Sequence, residues 1–545
     1  MSRALWQHAH NQPERAAIID AQHQRTTYAE LEALVARYAG ALQAVGLQPK
    51  QRVAVFVRPG RELVALMFAL LRLGSVPVLI DPGMGIGKAM QALALAQPQA
   101  LIGVPAAVLA SHAWRRTLSC LRMRLVVGHL PFHRSLTRLA RTATPLPPGE
   151  GHAQDEEAAV LYTSGSTGPA KGVSYTHGNF AAQVEALRLM YGFAPGDIDL
   201  ACFPLFALFD AALGTTTVFP RIDPSHPGRC RPEWIVQAAV QHQATYAFGS
   251  PAVWARVAPW LVARKATLPH LRNILVAGAP IEPELIAQMQ RVAPEAEIHT
   301  PYGATEALPV ATITGAAIQA LRAQAHSGAG VCVGTVAPGI ELVIARRSVE
   351  PLHSEADLQL LPAGTVGEVL VRGPQVTRHY TGLPTATARA KVAGANGTWH
   401  RMGDLGWIDE QQRLWFVGRS AHALETSMGV IPNVPMQLCA QQHPAVRRAA
   451  YVGVGPVGAE VPVLVLQPSD HCTDARHSGL EVLELVKQSG QAARSPWVVP
   501  QQVLWKSTFP LDVRHNAKIR NEDLKEWASR RVSPTKPEGA APCAT

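Results

Sequence analysis

Leu161-Tyr162-Thr163-Ser164-Gly165-Ser166-Thr167-Gly168-Pro169-Ala170-Lys171-Gly172 is the stretch on which the reading of this chain turns. It follows Ala158-Ala159-Val160-Leu161, a short apolar run that reads as a strand end. Glycines let the backbone curl until several N–H groups converge, and such a nest binds an anion. The hydroxyls of Thr163, Ser164, Ser166 and Thr167 add donors, and Lys171 adds a mobile positive charge suited to phosphate. The Walker A pattern G-x-x-x-x-G-K-[ST] fails here, because Ala170 precedes the lysine and Gly172 follows it. A plain Ser/Gly linker is the bland alternative. The strand leading in, the lysine closing the run and the motifs downstream weigh against it. The stretch is predicted to hold a nucleotide phosphate.

Around it, helical and strand patterns alternate from about residue 28. Tyr28–Val45 has apolar residues at helical spacing, Arg52–Val57 reads as a strand, Glu62–Leu73 as a helix and Val76–Ile80 as a strand ending at Asp81-Pro82-Gly83. Similar units recur at Trp234–Gln241 with Ala244–Phe248, and at Asn273–Ala277 with Pro283–Val292. Such repetition implies parallel sheets with crossover helices. Beyond about residue 330, Val331–Ile344, Gly367–Val371 and Leu414–Val417 are short β segments, which suggests a small β-rich subdomain. Past Gly418-Arg419 another α/β mixture begins, with strands at Arg448–Val454, Val461–Leu466 and Gln502–Trp505, a helix at Leu480–Ser489 and a closing helix from Asn521. Gly453-Val454-Gly455-Pro456-Val457-Gly458 matches G-x-G-x-x-G, but a strand follows it rather than a helix, and Pro456 lacks an N–H. It reads as a turn.

At 545 residues the chain is too long for one core and should divide into two or three domains. Its net charge of +10 is scattered, with no basic run interleaved with aromatics, so a nucleic-acid groove is not expected. Seven cysteines form no C-x-x-C, which argues against a zinc site or disulfide framework and fits a reducing cytoplasm. The region from Leu63 to Ile80 contains Arg72, Gly74 and Pro77 and reads as helix, turn and buried strand, so no membrane span is expected.

Four further clusters share the chain with the phosphate stretch. Pro301-Tyr302-Gly303-Ala304-Thr305-Glu306 offers an aromatic face, a hydroxyl and a carboxylate at a strand end, as a base, an α-phosphate and Mg²⁺ require. Arg401-Met402-Gly403-Asp404 presents an acid after a turn, suited to accept two ribose hydroxyls. Gly418-Arg419 supplies a fixed cation, and Lys518 lies in Asn516-Ala517-Lys518-Ile519. In this order, over roughly residues 6 to 530, the set resembles the acyl-adenylating superfamily of acyl-CoA synthetases, peptide adenylation domains and luciferases. The resemblance implies an α/β fold: a large N-terminal ATP- and acyl-binding domain over 1–418, with parallel-sheet subdomains and a β-rich one, and a mobile C-terminal lid over 419–532. The tail, 533–545, is expected to be disordered.

Carried over by match, Thr163, Ser164, Gly165, Ser166, Thr167, Gly168 and Lys171 would embrace the β- and γ-phosphates of ATP. Gly278, Ala279 and Pro280 would flank the base with Tyr302 and Gly303. Thr305 would touch the α-phosphate, Glu306 would hold Mg²⁺, and Asp404 and Arg419 would meet the ribose. Lys518 would bridge the attacking carboxylate and the α-phosphate, where negative charge builds in the transition state.

Three departures concern the second half-reaction. Ala421 stands two positions after the hinge arginine, where the superfamily usually has Asp or Lys. Glu425-Thr426-Ser427-Met428-Gly429 and Pro435-Met436-Gln437-Leu438 replace the usual basic loop and P-x-E-I-E. In Phe203-Pro204-Leu205-Phe206-Ala207-Leu208-Phe209-Asp210, Ala207 occupies the histidine position of a P-L-F-H element. With Ile80 to Gly85, Asp223-Pro224 and Asp512 to Ile519, these features resemble the olefin β-lactone synthetases of bacterial hydrocarbon biosynthesis. That branch adenylates a long-chain 2-alkyl-3-hydroxy acid and closes it to a β-lactone.

The resemblance also implies association with an α/β-hydrolase that decarboxylates the lactone and an NADPH-dependent reductase that prepares the acid. A fatty acyl-CoA or acyl-carrier ligase is the alternative, and a non-catalytic scaffold a third. Phe203, Phe206, Ala207 and Phe209 are candidates for the acyl pocket. Asp210 and His422 are candidates, by residue type alone, for the base that takes the hydroxyl proton. If the chain is a catalyst, Lys518→Ala should lower pyrophosphate release at least ~10²-fold, as loss of a single transition-state donor does; unchanged release would favour the scaffold.

Overall fold

The computed structural model describes residues 1–149, 151–163, 170–490, 497–511 and 519–532. The residues on either side of the phosphate stretch form two antiparallel arms, Glu157–Thr163 and Lys171–Thr176, with Thr163 opposite Lys171. These arms close a six-stranded sheet. Its other strands, Met123–Val126, Ala100–Gly103, Arg52–Phe56 and Val76–Ile80, run parallel to one another and to the first arm. Their continuous burial on both faces is what a parallel sheet covered by crossover helices produces. The helix Arg61–Arg72 supplies one cover and is buried along nearly its whole length.

A second, 14-stranded sheet forms the body of the molecule. Its parallel part contains Ile198–Ala201, Thr216–Val218, Tyr246–Gly249, Asn273–Val276 and Glu297–Ala304. The last of these turns straight back into Ala307–Thr314, and from there the sheet is antiparallel through Val331–Val336, Arg413–Arg419, Gly397–Ile408, Gly367–Arg372 and Glu341–Ala345. The β-rich part expected from the sequence is therefore present, and it is hydrogen-bonded edge to edge onto the parallel strands. Val331–Ile344, which reads as one β segment, is two strands that lie four positions apart in the sheet.

Past Arg419, strands Val446–Val454, Val461–Pro468 and Gln502–Trp505 make a sheet of their own. Period-two alternation sends Ala449, Tyr451, Leu464 and Leu466 to one core and Ala450, Val452, Val463 and Val465 to another. The helix Ala475–Ser489 covers the first face, and Asn521–Ser529 the second. The former begins five residues before its expected start, because the Asp474 carboxylate caps the N–H groups of Arg476 and His477. Gly453 and Val454 end the first of two antiparallel strands, and the turn between them begins at Gly455, with Gly455 and Gly458 at positive φ. No helix among the described residues is long and apolar enough to cross a membrane.

One glycine sets the contact between two strands of the antiparallel half of the large sheet. Gly334 sits at a register shift in Val331–Val336 with φ of +89°, and a Cβ there would lie 1.9 Å from the Thr312 carbonyl oxygen on the neighbouring strand. Neither the dihedral nor the spacing admits a side chain. Gly334→Ala should destabilise the fold by at least ~2 kcal/mol, seen as a lowered thermal-unfolding midpoint; an unchanged midpoint would contradict this.

Candidate active site

The turn between Glu297–Ala304 and Ala307–Thr314 consists of Thr305 and Glu306, since Ala304 pairs with Ala307. It lies at the carboxyl ends of the parallel strands, where open α/β sheets place their ligands. Two hydroxyls fix it. The Tyr175 hydroxyl, from the strand that starts at Lys171, donates to the Thr305 carbonyl. Tyr380 Oη donates to Glu306 Oε1 at 2.6 Å. Thr377 adds two bonds to the Glu306 carbonyl, from its N–H at 2.9 Å and its Oγ1 at 3.0 Å. The segment carrying Thr377 and Tyr380 is itself tied down by Asn179, whose Nδ2 donates to the carbonyls of Pro374 (2.8 Å) and Val376 (3.2 Å). Asn179 belongs to the first turn of helix His177–Tyr191, where it completes a capping box with Thr176.

Lys171 arrives from the other sheet. Its ammonium lies over the Tyr380 ring, 5.1 Å from the centroid, so one tyrosine meets the lysine with its face and Glu306 with its hydroxyl. Burial first, and then the Glu306 charge, push the Tyr380 phenol well above its ordinary range. Tyr380 therefore stays a donor.

A second cluster stands on adjacent strands. Asp404 and Arg419 are cross-strand partners, with Arg419 Nε 3.1 Å from Asp404 Oδ1. Tyr302 Oη donates to Asp404 Oδ2 at 2.5 Å. The Asp404 side chain is almost fully buried while that of Arg419 is 42% exposed, so the carboxylate is oriented from within and the cation remains open to solvent. Asp404 does not follow a turn. It lies inside the strand Gly397–Ile408, where Gly403 takes a φ of +68° without ending the pairing. The loop Gly278-Ala279-Pro280 leaves Asn273–Val276, the strand next to the one that carries Tyr302 and Gly303.

The structure thus brings Lys171, Thr305, Glu306, Tyr302, Asp404 and Arg419 to one edge, although they span some 250 residues of sequence. Ser164, Gly165, Ser166, Thr167, Gly168 and Lys518 lie outside the described residues. Of the phenylalanines, Phe206 stacks on Phe248 at 4.3 Å and meets Phe209 at 5.5 Å, while Phe203 packs on the edge of Phe248. Ala207 faces away from them, into the core shared with helix Arg61–Arg72. His422 Nδ1 lies 3.2 Å from Asn521 Nδ2, which joins the residues just after Arg419 to the closing helix.

Sequence reasoning missed Thr377, Tyr380, Lys391 and His400. Lys391 is buried and donates to the carbonyl and hydroxyl of Thr377. Burial pulls its ammonium down to about 7, against the pull of Glu306. His400, opposite Lys391 across the strands, is held well below its ordinary value by burial and then by Lys391. A Lys or His in a polar stretch gives no sign of burial. Only Tyr380 carried a signal, as an aromatic in Thr377-Arg378-His379-Tyr380-Thr381-Gly382 shortly after a strand.

Residues 5–381 match the family model described as "AMP-binding enzyme". The chain belongs to the AMP-binding enzyme family. It is 39% identical over 518 residues to a protein of Xanthomonas campestris named olefin beta-lactone synthetase, covering 92% of this chain and 91% of that one. A Stenotrophomonas maltophilia protein of the same name is 39% identical over 510 residues, with the same coverage. Among solved structures, the amide bond synthetase McbA of Marinactinospora thermotolerans superposes with a TM-score of 0.78 at 23% identity over 97% of this chain and all of that one. ATP-bound MatB of Rhodopseudomonas palustris gives 0.76 at 22% identity, covering 97% and 99%. These two share the fold. As a family member the chain is an ATP-using enzyme of the AMP-forming ligase type.

Asp210 lies inside this AMP-binding enzyme, out of reach of solvent. It is fully buried, and accepts from Tyr246 Oη at 2.6 Å and Thr217 Oγ1 at 2.8 Å. Asp199, equally buried, is the cross-strand neighbour of both Thr217 and Tyr246, and among the described residues no hydroxyl or side-chain N–H donates to its oxygens, which face the Asp210 carboxyl. Burial, and then the Asp210 charge, raise Asp199 well above the carboxylate range; burial pushes Asp210 up to about 6. Folded protein therefore holds more protons than unfolded chain above about pH 4. Stability is full below that point and falls as pH rises through 6. Asp199→Asn keeps the shape and removes one of the two titrating groups. Its stability, followed by denaturant titration from pH 5 to 8, should fall less steeply with pH than wild type, by up to ~1.4 kcal/mol per pH unit. Parallel profiles would show that the pair does not titrate as described.

Proposed function

We propose that this enzyme is an ATP-dependent β-lactone synthetase. It activates a long-chain 2-alkyl-3-hydroxyalkanoic acid as its acyl-adenylate and closes it to a β-lactone, with release of AMP and pyrophosphate. One observation carries the reading: near-full-length identity of 39% to two proteins named for this activity. The departures at Ala207 and Ala421, and in the loop after Arg419, support it.

In the first step a carboxylate oxygen of the substrate attacks the α-phosphorus and the bond to pyrophosphate breaks. Lys171 and the hydroxyl-rich loop would hold the β- and γ-phosphates. Thr305 would meet the α-phosphate, and Lys518 would offset the charge that builds on it. Asp404 would accept the ribose hydroxyls, with Arg419 beside it. Tyr302 and Gly278-Ala279-Pro280 would flank the base. Glu306 suits Mg²⁺: its Oε1 takes one hydroxyl donor, and a single carboxylate completed by phosphate oxygens and water is the usual setting for that ion. Bound there, Mg²⁺ would neutralise phosphate charge. Tyr380 and Thr377 would keep the carboxylate aimed at it.

In the second step the substrate's own 3-hydroxyl oxygen attacks the activated carbonyl, its proton is lost and AMP departs. Effective molarities of ~10⁵–10⁸ M favour such an intramolecular attack and partly offset ring strain. No thiol has to enter. Asp210, sealed beneath Tyr246 and Thr217, is a poor candidate for the proton acceptor.

In this reading residues 1–418 form the ATP- and acyl-binding domain and residues 419–532 the lid, which has two cores of its own. Phe203, Phe206 and Phe209 would line the acyl pocket. The enzyme would act in the cytoplasm, between an NADPH-dependent reductase that supplies the hydroxy acid and an α/β-hydrolase that decarboxylates the lactone.

Enzyme supplied with ATP, Mg²⁺ and a racemic 2-alkyl-3-hydroxy acid should form a strained lactone without CoA, detected by NMR or mass spectrometry. A thioester formed only with CoA, and no lactone, would replace this reading with an acyl-CoA ligase.

A further inference from the structure

Lys391 opens the strand Lys391–Gly394 and is 8% exposed. Its ammonium donates to the Thr377 carbonyl and, at 3.3 Å, to Thr377 Oγ1. Among the described residues no carboxylate lies within ion-pair distance of it. A buried cation resting on dipoles alone is costly, and an apolar residue of similar size usually leaves such a site as stable or more so. Stability alone does not account for a charge at this position.

The groups around it show what the charge faces. His400, opposite across the strands, is held neutral by its burial. On the far side Lys391 borders a cavity of about 300 Å³ with Arg378, His353 and Thr398, and no acid lines that wall. The charge that favours its protonated form is Glu306. Thr377 lies between the two. It takes both bonds from Lys391 on one side and gives its N–H and Oγ1 to the Glu306 carbonyl on the other. Three residues on, Tyr380 holds the Glu306 carboxylate and carries Lys171 over its ring.

We propose that Lys391 is a positioning residue for Glu306: through Thr377 it fixes the turn that presents the carboxylate, and its buried charge favours the anionic metal–triphosphate complex beside it. The proposal rests on the reading that Glu306 takes Mg²⁺ with ATP. Lys171 offers a cation at the rim, where solvent screens it. Lys391 offers one from behind the carboxylate, where little does. Removing it should loosen the acid and weaken the triphosphate together, while leaving the fold intact.

Equilibrium binding of ATP across a range of MgCl₂, by calorimetry without acid substrate, tests this alongside thermal unfolding. Lys391→Met should melt no lower than wild type, yet bind ATP at least tenfold more weakly and need several-fold more Mg²⁺ for half-saturation. Lys391→Arg, which keeps the charge, should recover part of both. Thr377→Val, which keeps Lys391 but cuts the hydroxyl link to Glu306, should shift the Mg²⁺ requirement in the same direction even if Lys391→Met folds poorly. Wild-type binding by either Lys391→Met or Thr377→Val overturns the role of Lys391. Wild-type enzyme that binds no ATP at any Mg²⁺ concentration overturns the adenylation reading itself.

Discussion

The Glu306 carboxylate is presented at the tip of a two-residue turn, and an acid on so short a turn keeps its direction only if other groups hold it. Here the holding is done from outside the hairpin. Tyr380 takes the carboxylate, Thr377 takes the main-chain carbonyl, and Tyr175 takes the carbonyl of Thr305. These three residues come from two segments, one beginning at Lys171 and one following Arg372. The turn is therefore the point at which the smaller sheet, the parallel half of the larger sheet and its antiparallel half are bonded to one another. A change in any of the three would be felt as a change in where the acid points.

The same economy appears in how the interior handles charge. Asp404 is buried but answered on both oxygens, by Tyr302 and Arg419. Asp199 and Asp210 share an apolar enclosure in which hydroxyl donors serve only one of them, so the other is held as the neutral acid. Lys391 is answered by dipoles with an acid one residue removed. The first arrangement pairs the carboxylate with a cation and a hydroxyl donor. The second suits packing between strands and is sealed from solvent. The third is poised, because a buried ammonium without an ion pair responds to whatever charge arrives nearby.

Much of the fold was legible. Val76–Ile80, Pro283–Val292 and Gln502–Trp505 begin and end as their periodicity and flanking breakers imply. The misreadings have local causes. Val331–Ile344 is β-rich throughout, and nothing in its composition shows that its two halves join different neighbours in the sheet. Gly403 looked like a turn because glycine at positive φ commonly makes one, yet the strand pairs on either side of it. Ser, His and Gly residues after Asp474 masked a helix that the aspartate caps.

By itself the sequence determined which chemical groups are available and in what order: a hydroxyl-rich glycine stretch, Thr305 with Glu306, Asp404, Arg419 and Lys518. Those residues are recognisable because phosphate, metal and ribose each demand particular side chains at short spacings. What only the tertiary structure decided is which of them face one another and what stands behind them. Tyr380 meets Lys171 across about 210 residues of chain and Glu306 across 74, and Lys391 stands behind Thr377 across 14. No local pattern encodes burial of a lysine, because burial is a property of what the other strands cover once the sheet has formed.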